Sequence, residues 1–155
     1  MRFPKKIERK EEMNRYDESQ NPNAIDELWF VNNNREMINI SNHPSNKWTD
    51  EQKKGYAKIH DLAFPNISPT MWANELDELV TEFTMAIVDI VNKNHAVGIE
   101  THCMIMGEMV FTYRLVSALK LRGVICLAAT SERMVEEKPD GEKTVRFEFR
   151  GWRSY

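Results

Sequence analysis

The sequence predicts an α/β fold, a Rossmann-like three-layer sandwich with a mostly parallel sheet and a C-terminal antiparallel β-hairpin. Short apolar runs alternate with stretches whose apolar residues recur every three or four positions, a pattern typical of strands that alternate with helices. Near the end of the chain, Pro139-Asp140-Gly141-Glu142 separates two strand-like arms and has strong turn chemistry. Right-handed crossovers through the helices make the first strands parallel, and the turn makes the last pair antiparallel.

The first predicted elements are short. Residues 37–40 form an apolar strand. Residues 46–59 form a helix in which Thr49 is the N-cap and Gln52 completes a capping box. Residues 59–64 form a second strand, which ends at a proline.

The next elements are longer. Residues 71–92 show the longest helical pattern, and residues 98–106 form the third strand. Residues 108–121 form an amphipathic helix that ends at Arg122-Gly123, a good C-terminal signal.

The last elements complete the sheet. Residues 124–129 are apolar throughout, as expected for a strand covered on both faces. Residues 133–138 and 143–150 form the two arms of the hairpin. The second arm alternates apolar and polar side chains, so one of its faces meets water.

The length of 155 residues suits one domain with a real core. We expect residues 36–155 to form the Rossmann-like ligand-binding domain and residues 1–35 to form a partly ordered N-terminal extension. Within the extension only residues 28–31 are apolar, and they could add an edge strand or dock a partner.

Composition excludes several classes of protein. The net charge of −3 argues against a surface for long nucleic acids, although a few local cations could still hold a small anionic ligand. No apolar run approaches the roughly 20 residues that cross a bilayer, and no secretory signal is visible, so we expect a cytoplasmic protein without membrane contact. Cys103 and Cys126 lie inside apolar runs as structural thiols, and without zinc-ligand spacing we expect no metal and no cofactor.

Three polar clusters follow apolar runs, at the point where predicted parallel strands end. Those ends share one edge of the sheet, where open α/β folds bind ligands. In the first cluster, His43 is a candidate general acid or base, because histidine titrates near neutral pH. Ser41 and Asn42 could bind a phosphate or a base edge, and Lys47 could reach an anion. The alternative is that this cluster is only a turn that leads into a helix.

The second cluster opens a helix. Gly107 permits positive φ or a close approach of a ligand to the backbone, and the helix behind Glu108 offers free N–H groups to an anion. Thr112, one turn later, could add a hydroxyl group. The alternative is a tight turn in which Glu108 only favours the start of the helix.

The third cluster contains Thr130, Ser131 and Arg133, and its arginine fork could bind two phosphate oxygens. The alternative is a loop before the hairpin. The glycine fingerprint of dinucleotide-binding folds and the phosphate loop of NTPases are both absent from the sequence.

The segments INISNHPSNKW, HDLAFPNI, HCMIMGEMVFTYRLVSALKLRGVICLAATSER and KTVRFEFRGWRSY, within residues 36–155, carry a family resemblance. Their layout resembles that of small single-domain CRISPR-associated Rossmann-fold (CARF-like) proteins, some of which are ring nucleases. The resemblance implies a homodimer that binds cyclic oligoadenylate, or a similar small anionic nucleotide, across its axis. It also implies a slow cleavage without metal, in which a 2′-OH attacks the adjacent phosphorus.

Under this resemblance His43 and Ser41 are the catalytic candidates. The ligand-binding candidates are Asn42, Lys47, Gly107, Glu108, Thr112, Thr130, Ser131 and Arg133. The alternative function is a non-catalytic module that senses or sequesters a cyclic nucleotide in a CRISPR-type defence system.

Overall fold

The computed structural model describes residues 34–155, and these residues have the α/β fold that the sequence predicts. The strands are β1 (Arg35–Ser41), β2 (Lys58–Asp61), β3 (Glu100–Met106), β4 (Ile125–Glu137) and β5 (Lys143–Ser154). The helices are α1 (Asp50–Lys53), α2 (Ala73–Ala96) and α3 (Met109–Lys120), and a 3-10 turn (Ser45–Lys47) precedes α1. Residues 1–33 of the predicted N-terminal extension, which include the apolar residues 28–31, lie outside the described residues.

The strands form one five-stranded sheet in the order β2-β1-β3-β4-β5. The first four strands are parallel, and β5 pairs antiparallel with β4, which confirms the predicted C-terminal hairpin. From β1 the chain goes to β2 on one side and then crosses back to β3 on the other. The winding of the sheet therefore reverses between β1 and β3, where Ser41 pairs with Met106. Such a reversal opens a crevice at the carboxyl ends of the strands.

The two faces of the sheet are covered unequally. Helices α2 and α3 pack on one face, where Ile38, Cys103 and Phe111 belong to the main hydrophobic core. On the other face a smaller core forms around Met37, Trp48, Met104 and Leu127. Within residues 34–155, no helix has the length and apolar character needed to cross a membrane.

The helix predicted over residues 46–59 is much shorter than expected. Thr49 and Gln52 form the predicted capping box, but α1 contains only four residues. Gly55 then adopts a φ of 86°, in the left-handed region that a helix cannot include. The chain is thus turned toward β2, which ends at Asp61 rather than at residue 64.

The fourth predicted strand and the first hairpin arm are one continuous strand, β4. The third strand pairs with β4 only as far as Leu127, but β5 pairs with it from Leu127 to Glu137. Because β5 supplies partners beyond the end of β3, the backbone stays extended through Thr130, with a register shift between Thr130 and Ser131. The prediction of a loop after residue 129 is therefore wrong, because these residues continue strand β4.

Candidate functional site

A cleft of about 670 Å³ lies at the carboxyl ends of β1 and β3, at the point where the sheet reverses its winding. It is lined by Ser41, His43, Lys47, Trp48, Thr49, Glu51, Gln52, Met104, Met106, Ala129, Ser131, Phe147, Glu148 and Phe149. The loop after β1 forms one wall, the end of β3 and the middle of β4 form the floor, and β5 forms the other wall.

Three aromatic side chains, Trp48, Phe147 and Phe149, line the walls. Trp48 is buried in the loop after β1, and its ring lies 5.4 Å from that of Trp152 in β5. The Phe149 ring lies 4.8 Å from the same Trp152 ring, so one indole supports both walls. Phe147 stands further out, with 69% of its surface exposed. Flat apolar surfaces of this kind suit a planar ring.

The loop that carries His43 is fixed through a backbone oxygen. The His43 carbonyl accepts hydrogen bonds from Asn39 Nδ2 at 2.9 Å and from Trp48 Nε1 at 3.0 Å. Asn39 is almost completely buried in β1, so it gives the loop a rigid support. The imidazole of His43 has no hydrogen-bond partner among residues 34–155, and it lines the cleft.

Asp61, at the end of β2, ties this loop to the neighbouring strand. Its carboxylate accepts from Asn39 Nδ2 at 2.7 Å, from the Ser45 N–H at 3.0 Å and from Ser45 Oγ at 2.8 Å. Burial opposes ionisation, but these hydrogen bonds outweigh it and hold the pKa of Asp61 below its ordinary value. The carboxylate therefore stays charged and keeps the loop in place at neutral pH.

Ser41 lines the cleft, yet its hydroxyl group belongs to the same network. Ser41 Oγ lies 2.8 Å from Asn39 Oδ1, to which it donates, and it accepts from the His43 N–H at 3.1 Å. The geometry therefore assigns Ser41 to holding the loop rather than to attacking a ligand. Asn42, the next residue, is exposed and does not line the cleft.

Gly107 and Glu108 do not reach the cleft. A Cβ atom at Gly107 would lie 2.2 Å from the Phe64 ring, so the glycine makes room for that ring rather than for a ligand. The Glu108 carboxylate accepts from the Phe111 N–H at 2.7 Å and from the Val110 N–H at 3.1 Å. These bonds occupy the N–H groups expected to bind an anion, and they lower the pKa of Glu108. Thr112 is buried, has no partner for its hydroxyl among the described residues, and is not in the lining either.

The side chains of the third cluster do not all reach the cleft, because the cluster lies in a strand, where neighbouring side chains point to opposite faces. Ser131 lines the cleft, whereas Thr130 Oγ1 donates to the Gly151 carbonyl at 3.0 Å. Arg133 shares the face of Ser131 and lies opposite Phe147 in the strand register, beyond the cleft lining. Ten residues were candidates, and the structure brings Ser41, His43, Lys47 and Ser131 together in the cleft.

A family model described as the uncharacterized protein MJ1673 family matches residues 35–153. The chain belongs to the MJ1673 family. The match spans the whole sheet from β1 into β5, and it includes every residue of the cleft lining. No curated protein and no solved structure matches the chain.

The charge in the cleft of this MJ1673-family chain is modest. Lys47 supplies a cation, and Glu51 and Glu148 supply carboxylates: Glu51 lies 3.7 Å from Lys54 Nζ, and Glu148 pairs with Arg146 and Arg150 at 3.1 Å each. No cluster of histidine, cysteine and carboxylate side chains within residues 34–155 could hold a metal ion. The lining suits a ligand that combines a planar apolar part with a small anionic part.

The aromatic walls were missed by reasoning from sequence. The alternation of Phe147 and Phe149 with charged residues was visible, and it places both rings on one face of the arm. It does not reveal that the arm folds beside the end of β3, because that depends on pairing with β4. Trp48 gives no local signal that distinguishes a cleft wall from a core residue.

Proposed function

We propose that the cleft binds a small anionic nucleotide. The single observation that supports the proposal is the placement of aromatic walls and of Lys47 and His43 around one cavity at the crevice of a mostly parallel sheet. A nucleobase stacks well on aromatic side chains, and a phosphate requires a cation or N–H donors. Both requirements are met within about 670 Å³, a size that ordinary small-molecule sites share.

The walls suggest an orientation for the bound nucleotide. The base stacks against Phe149, and the phosphate lies toward Lys47 and His43 in the loop after β1. Ser131 and Glu51 then offer oxygen atoms to ribose hydroxyl groups.

Calorimetric titration with adenosine 5′-monophosphate and with cyclic tetra-adenylate tests the proposal. We expect Lys47→Ala to weaken nucleotide binding roughly tenfold, because a charge-assisted phosphate contact is lost. Lys93→Ala, on α2 and paired with Asp89, is the matched control and is expected to bind like the wild type. Wild-type affinity in Lys47→Ala, or no binding of either nucleotide, contradicts the proposal.

Cleavage of a cyclic oligoadenylate is the catalytic form of the proposal, and it rests on the resemblance to ring nucleases. The ribose 2′-oxygen forms a bond to phosphorus while the bond from phosphorus to the 5′-oxygen breaks. The proton leaves the 2′-OH and the 5′-oxygen gains one, so the product has a 2′,3′-cyclic phosphate and a 5′-OH. His43 is the side chain placed to move one of these protons.

One observation favours the alternative in which the protein binds a nucleotide without cleaving it: several predicted site residues are engaged elsewhere or lie outside the cleft. Ser41 is held in its loop, Glu108 covers the helix N–H groups, and Arg133 lies outside the lining. Incubation with cyclic tetra-adenylate, followed by chromatography, separates the two functions. An intact ring that binds tightly supports the sensing or sequestering module.

If products form, we expect His43→Ala to slow single-turnover cleavage roughly 10²–10⁴-fold with little change in affinity. A smaller loss assigns His43 to positioning. An unchanged rate shows that His43 moves no proton in the reaction.

A further inference from the structure

We propose that the exposed face of the hairpin is a second base-binding subsite, which extends the cleft to a short single-stranded oligonucleotide. The inference rests on the proposed function, since the cleft provides the first subsite. We call this surface the hairpin face, and its residues are Ser131, Arg133, Val135, Val145, Phe147 and Phe149.

The strand register places these side chains on one surface. Ser131 pairs with Phe149, Arg133 pairs with Phe147, and Val135 pairs with Val145. Residues directly opposite each other in an antiparallel pair share a face, and so do residues two apart in one strand. The hairpin face therefore begins at the cleft wall and continues outward without a break.

Phe147 is the platform for a second base. It precedes Phe149 by two positions, roughly 7 Å along the strand, and 69% of its surface is exposed. An aromatic ring so exposed at the mouth of a cleft is available for stacking, and stacking on aromatic side chains tolerates any base.

Arg133 supplies the charge for a second phosphate. The cations that lie on the opposite face of the hairpin are neutralised there: Arg146 pairs with Glu136 at 3.2 Å, and Arg150 pairs with Glu132 at 2.6 Å. Among residues 34–155 no carboxylate oxygen lies within 4.0 Å of the Arg133 guanidinium. An arginine without an ion pair beside an exposed aromatic ring complements the phosphate and base of a nucleotide.

The occupant is short, because the hairpin face has room for little more than one base beyond the cleft. Beyond Phe147 the surface continues with Val135 and Val145, then with Glu137, which pairs with Lys143, and then reaches the turn that contains Gly141. The modest net charge of −3 for the chain also disfavours long nucleic acids.

Calorimetric titration with adenosine 5′-monophosphate and with the linear dinucleotide 5′-pApA tests the inference. We expect the dinucleotide to bind roughly 5- to 100-fold more tightly, the gain typical of one stacked base. Arg133→Ala should remove much of this gain and leave the affinity for the mononucleotide unchanged. Arg133→Lys should retain part of the gain, and circular dichroism of each variant confirms folding.

Arg153→Ala is the matched control, because it removes an exposed arginine of β5 that pairs with Ala128 in the strand register and so lies on the opposite face. It should bind both nucleotides like the wild type. Phe147→Ala should weaken the dinucleotide more than the mononucleotide. The slope of log K against log salt for the dinucleotide should become shallower by about 0.7 in Arg133→Ala, the value for one lost contact to a single strand.

The outcomes separate the two proposals. Equal affinity for the mononucleotide and the dinucleotide overturns the second subsite and leaves the proposed function in place. Equal losses in Arg133→Ala and Arg153→Ala overturn it too, because the effect would then be one of net charge. If light scattering shows that Phe147→Ala dissociates a dimer, the hairpin face is a subunit contact instead. Binding of neither of these nucleotides nor of cyclic tetra-adenylate defeats the proposed function itself.

Discussion

At Gly107 the missing side chain lets the Phe64 ring cover the end of β3. A Cβ atom there would lie 2.2 Å from that ring, and the ring in turn packs edge-on against Phe111 at 5.3 Å. We expect Gly107→Ala to destabilise the fold by about 1–3 kcal/mol, the cost of overpacking a core. Urea unfolding measures this loss. The same substitution in a Phe64→Leu background should cost less, and nucleotide affinity should not change; strictly additive losses would show that the ring is not the cause.

Asp61 is the residue at which pH acts on the loop beside the cleft. Its pKa is 3.8 or close to it in the unfolded chain and lower in the folded protein, so its stabilisation is fully present above that value. The stabilisation is lost as the pH falls through the lower, folded pKa. We expect Asp61→Asn to reduce the free energy of unfolding at pH 7 by about 1 kcal/mol. This value is low for hydrogen bonds to a charged group, because the carboxylate is exposed to solvent.

The difference between wild type and Asp61→Asn should shrink as the pH falls below about 4. Unfolding curves at pH 7 and pH 3 measure it. Asp89→Asn, which removes an exposed ion pair with Lys93, is the control and should change little at either pH. A difference that grows in acid would contradict the assigned sign.

On the scale of elements, α3 begins with a glutamate cap instead of an open anion site. The Glu108 carboxylate binds the N–H groups of Val110 and Phe111. We expect Glu108→Ala to lower the thermal midpoint, because those donors lose their partner, and Glu108→Asp to retain most of it, because aspartate is a preferred N-cap. Scanning calorimetry measures both variants. Weaker nucleotide binding in Glu108→Ala at a temperature where it is folded would return this helix start to the site.

The elements also show how far local patterns can be followed. Helical periodicity located α2 and α3, and a wholly apolar run located the buried part of β4, because burial of a face leaves a pattern in the adjacent sequence. Residues 130–133 are a strand rather than a loop because of their hydrogen bonds to β5, and no local sequence pattern reports those bonds. The pocket candidates at Gly107 and Glu108 failed to reach the cleft for a similar reason, since Phe64 and the glutamate's own helix engage them.

For the whole molecule we propose a two-fold homodimer with the cleft near its axis. A symmetric ring ligand favours a symmetric binder, and isologous dimers are the commonest assemblies. Static light scattering at tens of micromolar protein, with and without cyclic tetra-adenylate, should give twice the mass of 18.2 kDa for one chain. A monomer under both conditions would count against the dimer but not against binding by a single cleft.

The cleft is built from two strand pairings, β4 with β5 and β1 with β3, and the paired residues are much closer in sequence in the first than in the second. In the hairpin, Arg150 bonds to Glu132 only 18 positions away, whereas Arg35 and Glu100, in the neighbouring strands β1 and β3, are 65 positions apart. Short loops close quickly, and long-range parallel pairing is slow. The aromatic wall on β5 can therefore form early during folding, and the loop that carries His43 takes its place only when β1 has joined β3. A nucleotide that binds the cleft would select chains in which this long-range pairing is complete.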